Sequence, residues 1–197
     1  MRSALSITVF IWCLLFSSSS AAVAYCALRD PVSAIQHFYP GYTSYKALDG
    51  RVDSSVRAVL DAQLPGVHFS EFGTHTLYVV FKDFEVIGYV HARTEKGDWG
   101  LDELIWALSP ELRVNEMRYQ RSRSAGRVLV DSPEFLDWLS GRDLAQMVAL
   151  LTPEGTSLRE RPAFIPEEYE STAVTVVRSA VKTLVITDHV WPVQSIQ

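Results

Sequence analysis

Apolar and polar residues alternate with two different periods along this chain. After Pro31, a residue suited to a first helical turn, Val32, Ile35 and Phe38 recur at helical spacing until Pro40-Gly41 ends the run. A second helix is predicted from Asp53, whose carboxylate can cap the following amides. Val56, Val59, Leu60 and Leu64 form its stripe and Pro65-Gly66 its stop. From residue 74 the period shortens to two. "THTLYVVFKDFEVIGYVHARTEKGDWGLDELIWALSPELRVNEMRYQ" is rich in β-branched and aromatic residues and is punctuated by Lys82-Asp83, Lys96-Gly97-Asp98 and Ser109-Pro110-Glu111.

These breaks predict four antiparallel strands in a meander, at about 75–81, 86–93, 101–108 and 112–120. In the third, Leu104, Trp106 and Leu108 alternate with Glu103, Ile105 and Ala107, so both faces are largely apolar and both call for cover. In the fourth, Leu112 and Val114 share a parity that Met117 and Tyr119 reverse, which predicts a bulge near Asn115-Glu116. Helical spacing returns over Pro133–Leu139, breaks at Gly141 and resumes over 143–151. "TPEGTSLRERPAFIPEE", with three prolines, reads as an exposed connection. The closing stretch "YESTAVTVVRSAVKTLVIT" places Val174, Val177, Val181 and Leu184 on one buried stripe. The expected fold is α+β and single-domain over 25–197: a four-stranded antiparallel meander packed with N- and C-terminal helices.

Composition changes this picture mainly at the start. "MRSALSITVFIWCLLFSSSSAAVA" holds one basic residue, an apolar run at 7–16 and then small residues, with Ala22-Val23-Ala24 as a small-x-small cleavage pattern. The run is about half the roughly 20 residues of a spanning helix. Residues 1–24 are therefore expected to be a cleaved signal peptide and the protein periplasmic, a retained N-terminal membrane anchor being the alternative. Removing them takes the net charge from -5 to -6, and the chain has no basic stripe, which argues against a nucleic-acid partner. Cys13 leaves with the signal, so Cys26 would stand alone, either tucked into the domain or in an intermolecular disulfide.

Candidate chemistry is sparse. The histidines, His37, His68, His75, His91 and His189, show no metal-ligand spacing and read as surface or satisfied strand residues. No G-x-S-x-G elbow occurs, and the neighbours Asp102 and Glu103 fall on opposite faces of a strand. No catalytic or metal-ligating residue is assigned. The hydroxyls opening the last helix are more informative. Ser171, Thr172 and Thr175, with Arg178 one turn on, are the groups a phosphate would use at a helix N-terminus. The plainer reading has Ser171 or Thr172 as the N-cap, with Arg178 and Lys182 on a solvated face. Arg118, Arg121, Arg123 and Arg127 cluster in "RYQRSRSAGR", a solvated loop or a contact for an acidic partner.

In order, these elements resemble the FMN-binding domain of periplasmic subunits of the sodium-pumping NADH:quinone reductase and the Rnf complex. "SPELRVNEMRYQRSRSAG" stands where that family has a strand pair ending in Glu-Thr-Pro-Gly. "FLDWLSGRD" is similar to its F-x-G-k helix, with Leu139 for the Phe, Gly141 kept and Arg142 as the basic residue. "TAVTVVRSAV" stands where it has [ST]-G-A-T-x-[ST]-[ST]. The chain departs from the pattern at Arg121-Ser122-Arg123-Ser124, which replace Glu-Thr-Pro-Gly, at Ala173 in place of Gly, and at Tyr169 in place of Asp. Residue by residue, Thr175 falls on the Thr that can carry FMN through a phosphoester. A shift of one residue puts Val174 there instead. The resemblance implies FMN at Ser171, Thr172, Thr175 and Arg178, held non-covalently or lost, and electron transfer beside a membrane redox complex. The same scaffold without cofactor would be an interaction module, docking through the arginine loop or Cys26.

Overall fold

The computed structural model describes residues 27–66 and 73–192; Cys26 and the expected signal lie outside these. In chain order come α1 (Pro31–Phe38), β1 (Ser44–Val52), α2 (Ser54–Gln63), β2 (Gly73–Lys82), β3 (Glu85–Gly97), β4 (Gly100–Leu108) and β5 (Val114–Arg121). The short α3 (Arg127–Val130), α4 (Pro133–Leu139) and α5 (Leu144–Ala149) follow, then a 3-10 turn (Glu167–Tyr169) and the long α6 (Glu170–Val190). The architecture is mixed α and β around one antiparallel sheet of order β1-β2-β3-β4-β5.

The four-stranded expectation is thus corrected to five. β1 pairs along its whole length with β2, from Ser44 opposite Phe81 to Val52 opposite Gly73. It is an edge strand, with only Val52 buried, so no run of apolar residues announced it. The other four strands stand near their expected places. β5 begins at Val114, because Leu112 takes a left-handed conformation (φ 56°) in the preceding turn. The parity switch in β5 is a bulge: Ala107 faces Glu116 and Leu108 faces Val114, leaving Asn115 between them.

Both faces of β4 are covered, as its two-sided pattern requires. Leu104, Trp106 and Leu108 join the main core beneath α6, whereas Ile105 and Ala107 join a second cluster with Ile35 of α1 and Tyr39. Tyr39 fastens that second face. Its hydroxyl donates to Leu108 O at 2.7 Å and Tyr89 O at 3.2 Å, and burial holds the phenol well above its usual pKa. On the other face α6 packs against α2, α5 and β3. Its expected stripe is buried, and so are Ala173, Val176, Ala180 and Val185, so this helix is enclosed on most sides. The proline-rich connection is not merely exposed. Leu151 pairs with Leu158, and Leu158 and Ile165 enter the core.

Candidate functional site

The beginning of α6 meets the end of the sheet where the β3–β4 hairpin turns. Asp53 caps its helix as expected, and Ser132 and Asp143 cap α4 and α5, but α6 starts differently. Its N-cap is Tyr169, which makes no side-chain capping bond, and Ser171 and Thr172 already lie inside the first turn. Glu170 occupies that turn as well, which offsets the positive end of the helix.

A cleft of about 130 Å³ opens here, with Ser171, Thr172 and Thr175 on one wall. Lys96, Asp98 and Asp102 of the hairpin, Tyr119 of β5 and Ser124 of the following turn complete it. Ser124 is the hub. Its hydroxyl donates to buried Asp102 at 2.7 Å and accepts from the Asp98 amide at 3.0 Å, while Ala125 N donates to the Asp98 carboxylate at 3.2 Å. Two glycines make the close approach feasible. A Cβ on Gly97 would lie 2.4 Å from Asp102 Oδ2, and one on Gly126 would lie 2.2 Å from Thr172 Oγ1. Burial, reinforced by Asp102, Asp131 and Asp98, holds the Tyr119 phenol far above its usual pKa and therefore protonated. Thr175 Oγ1 donates back to Ser171 O at 3.0 Å.

Three of the four expected binding residues therefore share this cleft. Arg178 does not line it: its guanidinium donates to Gly155 O at 2.7 Å, in the connection after α5. Lys182 corrects the solvated-face expectation. It is buried, and its ammonium lies 2.5 Å from Glu95, whose other oxygen is 3.5 Å from Arg93. The reason lies in strand parity. His91, Arg93 and Glu95 alternate on the β3 face beneath α6, so this helix brings polar groups to meet them. His75 Nδ1 and His91 Nε2 are 3.2 Å apart, His91 Nδ1 is 3.0 Å from the Thr187 hydroxyl, and Trp106 Nε1 donates to Ser179. Sequence reasoning missed this polar layer. The available signal was the run of polar residues His91, Arg93 and Glu95 at every second position of β3.

FMN fits this cleft only in part. About 130 Å³ is well below the roughly 300 Å³ at which ligand pockets usually begin, so a three-ring system cannot enter. The Ser171 hydroxyl and the Lys96 ammonium suit the phosphate end, whereas the Thr175 and Ser124 protons already go to Ser171 O and Asp102, and Asp98 and Asp102 oppose its charge. Among the described residues, no three His, Cys, Asp or Glu side chains stand where they could hold one metal ion. No protein-family model and no curated protein matches the chain.

Proposed function

We propose that this is an exported protein built like the FMN-binding domains, a carrier rather than a self-sufficient enzyme, serving electron transfer near a membrane when flavin is bound. One observation supports the reading above others. The turn after β5, which stands where the family has Glu-Thr-Pro-Gly, and the hydroxyl run of α6, which stands where it has the Thr that can carry FMN, meet at one cleft, with Gly126 against Thr172 and Ser124 facing the wall that holds Thr175. Ser171 and Lys96 would hold the phosphate end, joined by Thr175 once its hydroxyl turns from Ser171 O, and the rings would lie outside the cleft. The flavin would supply the redox chemistry; the protein supplies position and charge.

Expression of the full chain together with a flavin-transfer enzyme tests this. Visible flavin absorbance, with FMN bound reversibly or as a mass adduct on Thr175, is the expected outcome, and Thr175→Val should abolish the adduct. A colourless protein without affinity for FMN overturns the reading. The pair of aspartates in so small a cleft favours a second reading, an interaction module with a closed cofactor site. In that case partner capture survives Thr175→Val and is lost when Arg121 and Arg123 are replaced.

A further inference from the structure

Successive turns of an antiparallel meander fall at alternate ends of the sheet; both ends here carry exposed apolar side chains, Phe84 between Asp83 and Glu85 at the β2–β3 turn being 99% exposed, and what sets the β3–β4 end apart is the arginines beside them. At the β3–β4 tip Trp99 is 76% and Leu101 60% exposed, and in α3 Val128 is 68% exposed. The turn after β5, hydrogen-bonded to that tip through Ser124 and Asp98, carries exposed Arg121, Arg123 and Arg127. Lys96 is exposed on the same hairpin. Two carboxylates within this group are paired with cations: Glu103 takes the Arg29 guanidinium at 2.6 Å through both oxygens and lies 3.7 Å from Arg121, and Asp131 pairs with Arg127. Asp98 and Asp102 accept from the neutral donors Ala125 N and Ser124 and keep their charge inside the cleft, which leaves Arg123 and Lys96 as the outward cations and Arg121 only loosely held. Glu167 and Glu168, before α6, form its acidic border.

The chain also enters the fold here. Arg29 N donates to Gln120 Oε1 at 2.7 Å, and Gln120 Nε2 reaches both Ala27 O and Glu103. The apolar run at 7–16 ends eleven residues before Ala27, a reach of at most about 40 Å for extended chain. Exposed Trp and Leu among arginines are the side chains that partition into the headgroup layer of a bilayer. There the indole finds both apolar and polar surroundings and each cation gains from anionic phosphates.

We propose that the end formed by the β3–β4 tip and the turn after β5 docks on an anionic phospholipid surface, with Trp99 and Leu101 in the headgroup layer and Arg121 and Arg123 on phosphates. The mouth of the cleft, whose rim includes Lys96 and Asp98, then lies close to the membrane. No described helix is long and apolar enough to cross a membrane, so this contact is peripheral for the folded part. The inference does not rest on the flavin reading, since none of these side chains is needed to hold FMN except Lys96.

The test uses the chain as recovered from cells, bound to phosphatidylglycerol or phosphatidylcholine vesicles and probed by hydrogen exchange. Slower exchange is expected over 96–103 and 121–128, absent over 83–85 at the opposite turn, and only with phosphatidylglycerol. Partition of the processed chain into phosphatidylglycerol vesicles should fall at least tenfold in Trp99→Ser/Leu101→Ser and roughly thirtyfold in Arg121→Gln/Arg123→Gln at low salt. Phe84→Ser, which removes a side chain 99% exposed at the opposite turn, should leave it unchanged. Because all these residues are exposed, the variants should fold, which circular dichroism checks. Where residues 7–16 are retained they anchor the chain by themselves, and the exchange footprint alone decides. A footprint missing from both segments, equal at 83–85, or insensitive to headgroup charge overturns the proposal. So does an unanchored chain that ignores both vesicle types.

Discussion

One added methyl group probes the cleft more sharply than removal of any of its hydroxyls. Gly126→Ala drives a Cβ to within 2.2 Å of Thr172 Oγ1, and Thr172 is buried on a helix that cannot easily retreat. The expected cost is about 1–3 kcal/mol, the usual range for overpacking, read as a lower urea midpoint with an unchanged slope. An unchanged midpoint would mean that α6 is free to move away. Lys182 tests the polar layer at the same scale. Lys182→Met leaves Glu95 buried beside Arg93 alone, and the loss should reach about 3 kcal/mol, the low end for breaking a buried pair. Adding Glu95→Gln should deepen the loss, because it takes the carboxylate away from the buried Arg93 guanidinium; a double variant no worse than Lys182→Met would place the cost in packing. The sequence made Ser171, Thr172 and Thr175 legible because four residues of helix return to one face. It could not reveal Arg178 or Lys182 correctly, since a long side chain on that face is directed by partners such as Gly155 O and Glu95 that are distant in sequence.

Elements differ in how plainly they announce themselves. α1, α2 and the core strands were legible because capping carboxylates, prolines and apolar periods all agreed. β1 was not: "SYKALDGRV" mixes Lys, Asp, Gly and Arg, its pairing with β2 is a matter of backbone, and its one buried residue is the last. The bulge at Asn115 and the double cover of β4 were legible from parity alone. The cover given by α1 rests on one close approach. A Cβ on Gly88 would lie 2.3 Å from the Tyr39 hydroxyl, at the point where that hydroxyl reaches Leu108 O and Tyr89 O. Gly88→Ala should therefore loosen α1 and expose Ile35, Ile105 and Ala107, whereas Tyr39→Phe loses only the two hydrogen bonds, about 1–2 kcal/mol. Proteolysis within 27–40 should accelerate strongly in the first variant and modestly in the second. Equal susceptibility would show that the ring contact contributes nothing beyond the hydroxyl.

For the molecule as a whole, the polar layer beneath α6 sets the dependence of stability on pH. His91 is fully buried, and burial, reinforced by its neighbours His75 and Arg93, pushes its pKa well below the ordinary 6.5. The folded protein thus refuses a proton that the unfolded chain accepts once pH drops beneath about 6.5. Stability contributed by neutral His91 is intact above that value and declines as pH falls, by up to about 1.4 kcal/mol per unit, until the folded pKa is reached. Glu103 acts in the same direction at lower pH. The Arg29 guanidinium, helped by Gln120, holds its carboxyl below the ordinary 4.5 despite its burial, so this contribution is present above that value and is lost as pH falls through the folded pKa. Two segments of the acid profile then belong to two sites at opposite faces of the sheet. Urea denaturation at half-unit steps from pH 7.5 to 3.5 should show His91→Gln flattening the decline that begins near 6.5, at some overall loss because Thr187 and His75 keep only part of their bonding. Arg29→Gln should leave the slope of that decline in place, lower stability by a constant amount above about 4.5, and flatten the profile only below it. If His91→Gln retains the full slope between 6.5 and 5, the buried imidazole is not what makes this fold sensitive to acid.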